Sequence, residues 1–153
     1  MNYPKWLQIH KQVFYDLTEL ELLACVLYGE SATEPDDGKF AVGCVIRNRV
    51  RLRGWWGATY KHVILAPKQF SCFNYKINNK TNSLLKYMLN AMRKRTVKYV
   101  ACEAQAKLIL EGKPDITGSA THYFNPSIVK PTWSAKMVRT ARIGQHDFYN
   151  GYT

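Results

Sequence analysis

Apolar residues recur at helical spacing through the first two thirds of the chain. Between Leu20 and Leu27 they stand three and four residues apart, which predicts a helix that continues to about Ser31. Two pairs of residues ahead of this stretch have the spacing of a capping box: Asp16 with Glu19, and Thr18 with Glu21.

A second helix is expected after the turn residues 34–38. Its pattern places Ala41, Val42, Val45 and Ile46 inward, and Arg47, Asn48 and Arg51 outward. Residues 54–57 predict a loop, and residues 71–80 read as polar and irregular. Helical spacing is also found over three further stretches: from Thr59 to just before Pro67, from about Thr81 to Met92, and from Val97 to Leu110.

The last third of the chain has a different pattern. Residues 120–125 predict a short strand ended by Pro126, and residues 137–149 predict a strand pair that turns near Gly144. The fold class is therefore α+β and mainly helical, with a few short strands in the C-terminal third. With 153 residues and no long linker, we expect a single domain.

Composition allows a packed core and indicates an anionic partner. Of the residues, 46% are hydrophobic, and 22 Lys and Arg against 11 Asp and Glu give a net charge of +11. Such a charge favours teichoic acids and other anionic envelope polymers, or nucleic acid. No apolar run is long enough for a membrane span. The N-terminal residues lack the apolar core of a secretory signal, so we expect synthesis in the cytoplasm without a signal peptide.

The cysteines and histidines give no sign of a metal or cofactor site. The four cysteines are far apart, and no CxxC or HExxH spacing occurs. Cys25, Cys44 and Cys102 lie among apolar residues and are expected as buried thiols. For His146, a hydrogen-bonded structural role is expected rather than metal ligation.

Glu30 is the most unusual acidic residue. It continues the apolar stripe of Leu23 and Leu27 and falls in the last turn of its helix, where the helix dipole disfavours negative charge. Burial and the dipole both raise a carboxyl pKa, as a general acid at neutral pH requires. The alternative is a structural glutamate paired with an arginine such as Arg47 or Arg49.

An ordered set of segments around Glu30 resembles the catalytic domain of the spore-cortex-lytic (SleB/CwlJ) family of cell-wall hydrolases. The resemblance runs from about Leu20 to Tyr149. The segments that carry it are Tyr28-Gly29-Glu30, Glu34-Pro35, Ala41 to Val50, Pro67 to Ser71, Gly118 to Pro126, Trp133, and Arg142 to Tyr149.

The resemblance implies a lysozyme-like fold related to lytic transglycosylases, and cleavage between N-acetylmuramic acid and N-acetylglucosamine. It makes Glu30 the catalytic acid. Residues 1–153 would be one catalytic domain with residues 1–16 as an N-terminal extension. A small, basic, leaderless version is similar to a bacteriophage or prophage endolysin that acts in bacterial lysis.

Two mechanisms remain open for a glycosidase with this acid. A muramidase-type hydrolase needs a second carboxylate, for which Glu34, Asp36 and Asp37 are the candidates, although they also suit a turn and a helix N-cap. A lytic transglycosylase needs one Glu, which protonates the leaving oxygen and then takes the proton of the muramyl 6-hydroxyl. This hydroxyl is the nucleophile in place of water. The single well-placed Glu30 and the family resemblance favour the transglycosylase.

Sugar recognition calls for amide and hydroxyl partners and for flat apolar surfaces. The substrate-binding candidates are Gln69, Ser71, Thr121, Tyr123 and Asn125 for hydrogen bonding, and Tyr28, Trp133, Trp55 and Trp56 for stacking. Core packing is the competing interpretation for each aromatic residue. The expected partner is peptidoglycan, and we expect a monomer.

Two other classes of function compete with a glycosidase. A basic nucleic-acid-binding module would need its cations in one stripe, and the cations here are spread along the chain, so nucleic acid is disfavoured. An inactive wall-associated or virion protein would not need an intact Glu30 together with Gln69-Phe70-Ser71.

Overall fold

The computed structural model describes residues 12–66, 70–73, 76–77, 80–81 and 83–151. The helices are α1 (residues 12–16), α2 (Glu19–Ser31), α3 (Asp36–Leu52), α4 (Tyr60–Leu65), α5 (Leu84–Lys94) and α6 (Val97–Leu110). Short 3-10 turns cover Ser71–Phe73 and Thr132–Lys136. The strands are β1 (Lys76–Ile77), β2 (Lys80–Thr81), β3 (His122–Phe124), β4 (Val138–Ile143) and β5 (His146–Asn150).

Helix α2 is the centre of the molecule. Thr18 and Glu21 form the predicted capping box, with the Thr18 side chain accepting from the Glu21 N–H and the Glu21 carboxylate accepting from the Thr18 N–H. Residues 22–27 are all fully buried, and α3, α4, α5 and α6 pack around them. The middle of the helix is therefore buried on every side and not only along the predicted stripe.

Helix α3 links the helical core to the C-terminal sheet. Its predicted inward residues are buried, and Arg51 is exposed as expected. The outward placement of Arg47 and Asn48 was wrong. Arg47 donates to the Ile109 carbonyl at the end of α6, and Asn48 donates to the Ala120 carbonyl, so both polar side chains are buried with backbone carbonyls as partners.

The C-terminal strands form one antiparallel sheet in the order β3-β5-β4. Tyr123 pairs with Phe148 across β3 and β5, and this face packs on Ala41 and Val45 of α3. The opposite face is covered by Trp133. The β4-β5 turn lies at Gly144, as the sequence predicts, and Gly144 has a φ of 59°.

Several predicted boundaries differ from the structure. Helix α5 runs from Leu84 to Lys94, and the polar stretch 71–80 contains a 3-10 turn and part of the small β1-β2 hairpin. Phe14, which falls in the expected N-terminal extension, is buried against Phe73, with ring centroids 5.0 Å apart. Phe14 of that extension therefore belongs to the core, whereas its neighbour Tyr15 is exposed. Across the described residues, no helix is both long and apolar enough to cross a membrane.

Candidate active site

Glu30 lies where the last turn of α2 meets strand β3. The Tyr123 hydroxyl donates to Glu30 Oε2 over 3.4 Å, a long hydrogen bond. The other oxygen, Oε1, is buried and makes no well-formed hydrogen bond to any residue the structure describes. The carboxyl group thus has a hydroxyl donor at Oε2, and its Oε1 is shielded from solvent.

The surroundings of Glu30 favour its neutral form. Burial raises the pKa of the Glu30 carboxyl above its ordinary value, and this outweighs hydrogen bonding from Cys72 and Tyr123 and the positive charge of Arg49, all of which lower it. A carboxyl whose pKa is raised by burial can keep its proton nearer to neutral pH and deliver it to a leaving group.

Cys72 reaches Glu30 because residue 29 has no side chain. A Cβ at Gly29 would lie 2.7 Å from the Cys72 Cβ and 2.8 Å from its Sγ. Burial raises the pKa of the Cys72 thiol well above its usual value, and the nearby Glu30 charge adds to the shift. The thiol is therefore a neutral neighbour of the acid. Sequence reasoning missed this contact, although a glycine inside a helix next to Glu30 is a signal of close packing.

Arg49 is the buried cation near the acid. Its Nε donates to the Thr121 carbonyl over 2.8 Å, and its guanidinium lies 5.6 Å from the Trp56 ring centroid and 5.4 Å from that of Phe70. These contacts fix a positive charge close enough to lower the pKa of Glu30. Of Arg47 and Arg49, the two arginines considered as partners of Glu30, Arg49 is the one whose charge lowers the pKa of Glu30.

The carboxylates after α2 differ in exposure. Glu34 is 7% exposed, and its Oε1 accepts from the Gln145 N–H over 3.1 Å. The same oxygen lies 2.8 Å from His146 Nδ1, a close contact that is not aligned as a hydrogen bond. Asp36 and Asp37 are exposed in the first turn of α3, whose N-cap is Pro35, so none of the three acids is the N-cap.

The predicted binding residues are only partly brought together. Tyr123 contacts Glu30 directly, and Tyr28 is half-buried against the helical core. Ser71 lies in the same 3-10 turn as Cys72. Gln69 falls outside the described residues.

Thr121 and Asn125 differ from the expectation that they line a cleft. Thr121 is fully buried, and its hydroxyl is 2.9 Å from His122 Nδ1, so it cannot face a ligand in this structure. Asn125 Oδ1 accepts from the backbone and hydroxyl of Ser127, which is the turn role considered as its alternative.

Trp133 packs on the outer face of the sheet. Its ring centroid lies 4.9 Å from that of His122, 5.6 Å from Phe124 and 5.7 Å from Tyr149. Trp56 is buried and donates to the Arg49 carbonyl, whereas Trp55 is 70% exposed. Of the described tryptophans, Trp55 is therefore the most open to solvent.

The described residues hold no group of three His, Cys, Asp or Glu side chains that could bind a metal ion. Burial and the charge of Arg49 lower the pKa of His122 to about 4. Burial also lowers the pKa of His146, with Glu34 acting in the opposite direction. Both imidazoles are therefore neutral at neutral pH.

Residues 33–149 match the sequence profile of the family described as Cell Wall Hydrolase. The chain belongs to this family. The matched range begins three residues after Glu30, so it takes in β3 and the β4-β5 turn but not the acid itself.

The curated relatives of this chain are enzymes that act on the spore cortex. A spore cortex-lytic enzyme of Bacillus cereus is 29% identical over 136 residues, covering 88% of this chain and 45% of the relative. One from Halalkalibacterium halodurans is 28% identical, covering 89% and 36%. This chain thus spans less than half the length of these relatives.

The solved structures agree over most of the fold. The catalytic domain of the germination-specific lytic transglycosylase SleB from Bacillus anthracis has a TM-score of 0.63 and 27% identity, covering 86% of this chain and 93% of that domain. The Bacillus cereus SleB catalytic domain has a TM-score of 0.63 and 28% identity, covering 86% and 89%. The expected family and the mainly helical α+β fold are confirmed.

Proposed function

We propose that this chain degrades peptidoglycan by cleaving the bond between N-acetylmuramic acid and N-acetylglucosamine, as a lytic transglycosylase with Glu30 as its acid. The observation that carries the proposal is the Glu30 carboxyl, which lies beside the Tyr123 hydroxyl and whose pKa is raised by burial. The likeness to the catalytic domain of a lytic transglycosylase supports the same chemistry.

The reaction needs one carboxyl group acting twice. Protonated Glu30 gives its proton to the glycosidic oxygen as the bond to the muramyl C1 breaks, and the electron pair leaves with that oxygen. The Glu30 carboxylate then takes the proton from the muramyl 6-hydroxyl while O6 bonds to C1. The product is a 1,6-anhydro sugar, Glu30 is protonated again, and no water is consumed.

Tyr123 and Arg49 suit the intermediate stage of this cycle. After proton transfer Glu30 is negative, and a hydroxyl donor at 3.4 Å and a fixed guanidinium charge both favour the ionised form. Burial favours the protonated form, so the two effects keep the carboxyl able to exchange its proton in both directions.

A muramidase-type hydrolase is the alternative, and it would require a second carboxylate. Glu34 Oε1 is occupied by the Gln145 N–H and His146, and Asp36 and Asp37 point from the exposed start of α3. These placements favour the route that uses Glu30 alone.

The partner we propose is peptidoglycan, approached through anionic envelope polymers that attract the net charge of +11. Gln69, Ser71, Tyr123, Tyr28 and exposed Trp55 remain the proposed sugar contacts. A role in bacterial lysis, as in an endolysin, stays a prediction.

The product identifies the mechanism. Purified peptidoglycan should be digested in water enriched in ¹⁸O and the fragments analysed by mass spectrometry. A transglycosylase gives anhydro-muramyl ends without ¹⁸O, whereas reducing muramyl ends that carry ¹⁸O would establish hydrolysis and overturn the proposed route. Asp36→Asn and Asp37→Asn should retain most activity, because neither carboxylate takes part.

A further inference from the structure

The Tyr123 ring is held from strand β5 on the side facing the β4-β5 turn. The ring centroid of His146 lies 5.1 Å from that of Tyr123, at an interplanar angle of 78°, an edge-to-face contact. Phe148 contacts the same ring at 5.7 Å and 32°. His146 and Phe148 are two residues apart on β5, so they share one face of the sheet.

His146 is itself held by the segment that follows the acid. Glu34 comes four residues after Glu30 and lies against His146 Nδ1 at 2.8 Å, and the side chains of Glu34 and His146 are only 6% and 13% exposed. Glu34 is anchored in turn by the Gln145 N–H. A Cβ at Gly144 would lie 2.8 Å from Glu34 Oε2, so a side chain at residue 144 would push the carboxylate out of this position.

We propose that His146, seated on Glu34, is a positioning residue that holds the Tyr123 hydroxyl on the catalytic acid Glu30. The contact between the His146 and Tyr123 rings is edge to face, so His146 acts through packing and transfers no proton. This inference rests on the proposed role of Glu30, and it gives Glu34 a part in activity that is not that of a second catalytic carboxylate.

The effect on Glu30 has a definite sign. The groups facing Glu30 are Cys72, Tyr123 and Arg49, and the Tyr123 hydrogen bond lowers the pKa of the acid. If Tyr123 shifts, that bond is lost and the pKa of Glu30 rises. Because the protonated acid is the active form, the alkaline limb of kcat/KM then moves to higher pH, while kcat falls through misplacement. Small misplacements of catalytic groups can cost about 10²-fold.

A double-mutant cycle separates positioning from general structural support. His146→Gln, Tyr123→Phe and the double variant are compared on soluble glycan strands from peptidoglycan, with His62→Gln, an exposed histidine on α4, as the control. We expect His146→Gln to lower kcat by about 10-fold or more. The alkaline limb of its kcat/KM profile should move to higher pH, as in Tyr123→Phe. The kcat of the double variant should be no lower than that of Tyr123→Phe.

A second measurement does not depend on turnover. The pKa of the Glu30 carboxyl, followed by ¹³C NMR, should rise in His146→Gln, in Glu34→Gln and in Tyr123→Phe, and stay unchanged in His62→Gln. Glu34→Gln serves if His146→Gln fails to fold, and its products should still be anhydro sugars. The inference would be overturned if the losses of kcat in the two single variants added up in the double variant, or if the Glu30 pKa did not change. An active Glu30→Gln would instead overturn the proposed function.

Discussion

The Tyr123 hydroxyl meets Glu30 Oε2 across 3.4 Å and 93 residues of sequence. This contact joins the C-terminal turn of the central helix α2 to the first strand of the C-terminal sheet. The helical part of the chain thus supplies the acid and buries it, and the sheet supplies the donor that steadies it. Because the site is divided between the helices and the sheet, its geometry depends on the packing of the sheet against α3.

Burial of Glu30 should make the stability of the protein depend on pH with a particular sign. A raised folded-state pKa contributes stability that is complete below the unfolded pKa, near 4.3, and lost as pH rises through the folded pKa. Glu30→Gln removes this dependence. Thermal unfolding should therefore show the variant equal to or more stable than the wild type at pH 8. Its advantage should shrink towards pH 4. A variant clearly less stable at pH 8 would show that the carboxylate stabilises the fold.

Substitution of Trp133 should lower stability, and substitution of Trp55 should weaken glycan binding. Trp133 packs on three rings of the sheet, so Trp133→Ala should lower the free energy of unfolding by about 2–3 kcal/mol, below the cost of truncating a fully buried tryptophan. Trp55 is exposed, so Trp55→Ala should leave urea unfolding unchanged and raise KM for glycan if its ring stacks on sugar. Equal losses of stability would contradict this division.

Local signals predicted the regular elements well. Helix α6 has the predicted bounds, because Thr96 caps its start and Gly112 follows its end. The β4-β5 hairpin turns at Gly144, where a positive φ is required. These features depend on residues close together in sequence.

Features that depend on distant partners were not predictable. Arg47 and Asn48 have the pattern of surface residues of α3, yet they are buried and donate hydrogen bonds to carbonyls more than 60 residues away in sequence. At the site, the sequence predicted Glu30 and named Tyr123. It did not show that Cys72 lies beside the acid or that Glu34 meets His146, because both contacts arise only when separate elements pack together.

The four cysteines should be thiols that react slowly in the folded protein. All are buried thiols, and burial raises the pKa of Cys25 to about 12 and of Cys44 and Cys102 to about 11. A thiol reagent at pH 8 should label none of them quickly in native protein and all four in denaturant without reductant. Protection of two or four thiols in denaturant would reveal disulfides.

Salt should weaken action on intact walls more than action on small fragments. The net charge of +11 attracts the protein to anionic polymers, and the Debye length falls from about 10 Å at 0.1 M to about 3 Å at 1 M salt. Lysis of wall-bearing cells should fall steeply over this range, while cleavage of short soluble glycans should change little. Lysis that is independent of salt would remove electrostatic attraction from the account.

The most direct test of the account is the activity of Glu30→Gln on purified peptidoglycan, measured beside the wild type and Glu111→Gln, an exposed glutamate after α6. Glutamine keeps the shape of the side chain but cannot donate the proton. The account predicts a loss of about 10²–10⁴-fold, the usual contribution of general acid–base catalysis, with the fold and wall binding intact and Glu111→Gln fully active. Near-normal cleavage by folded Glu30→Gln would contradict the account.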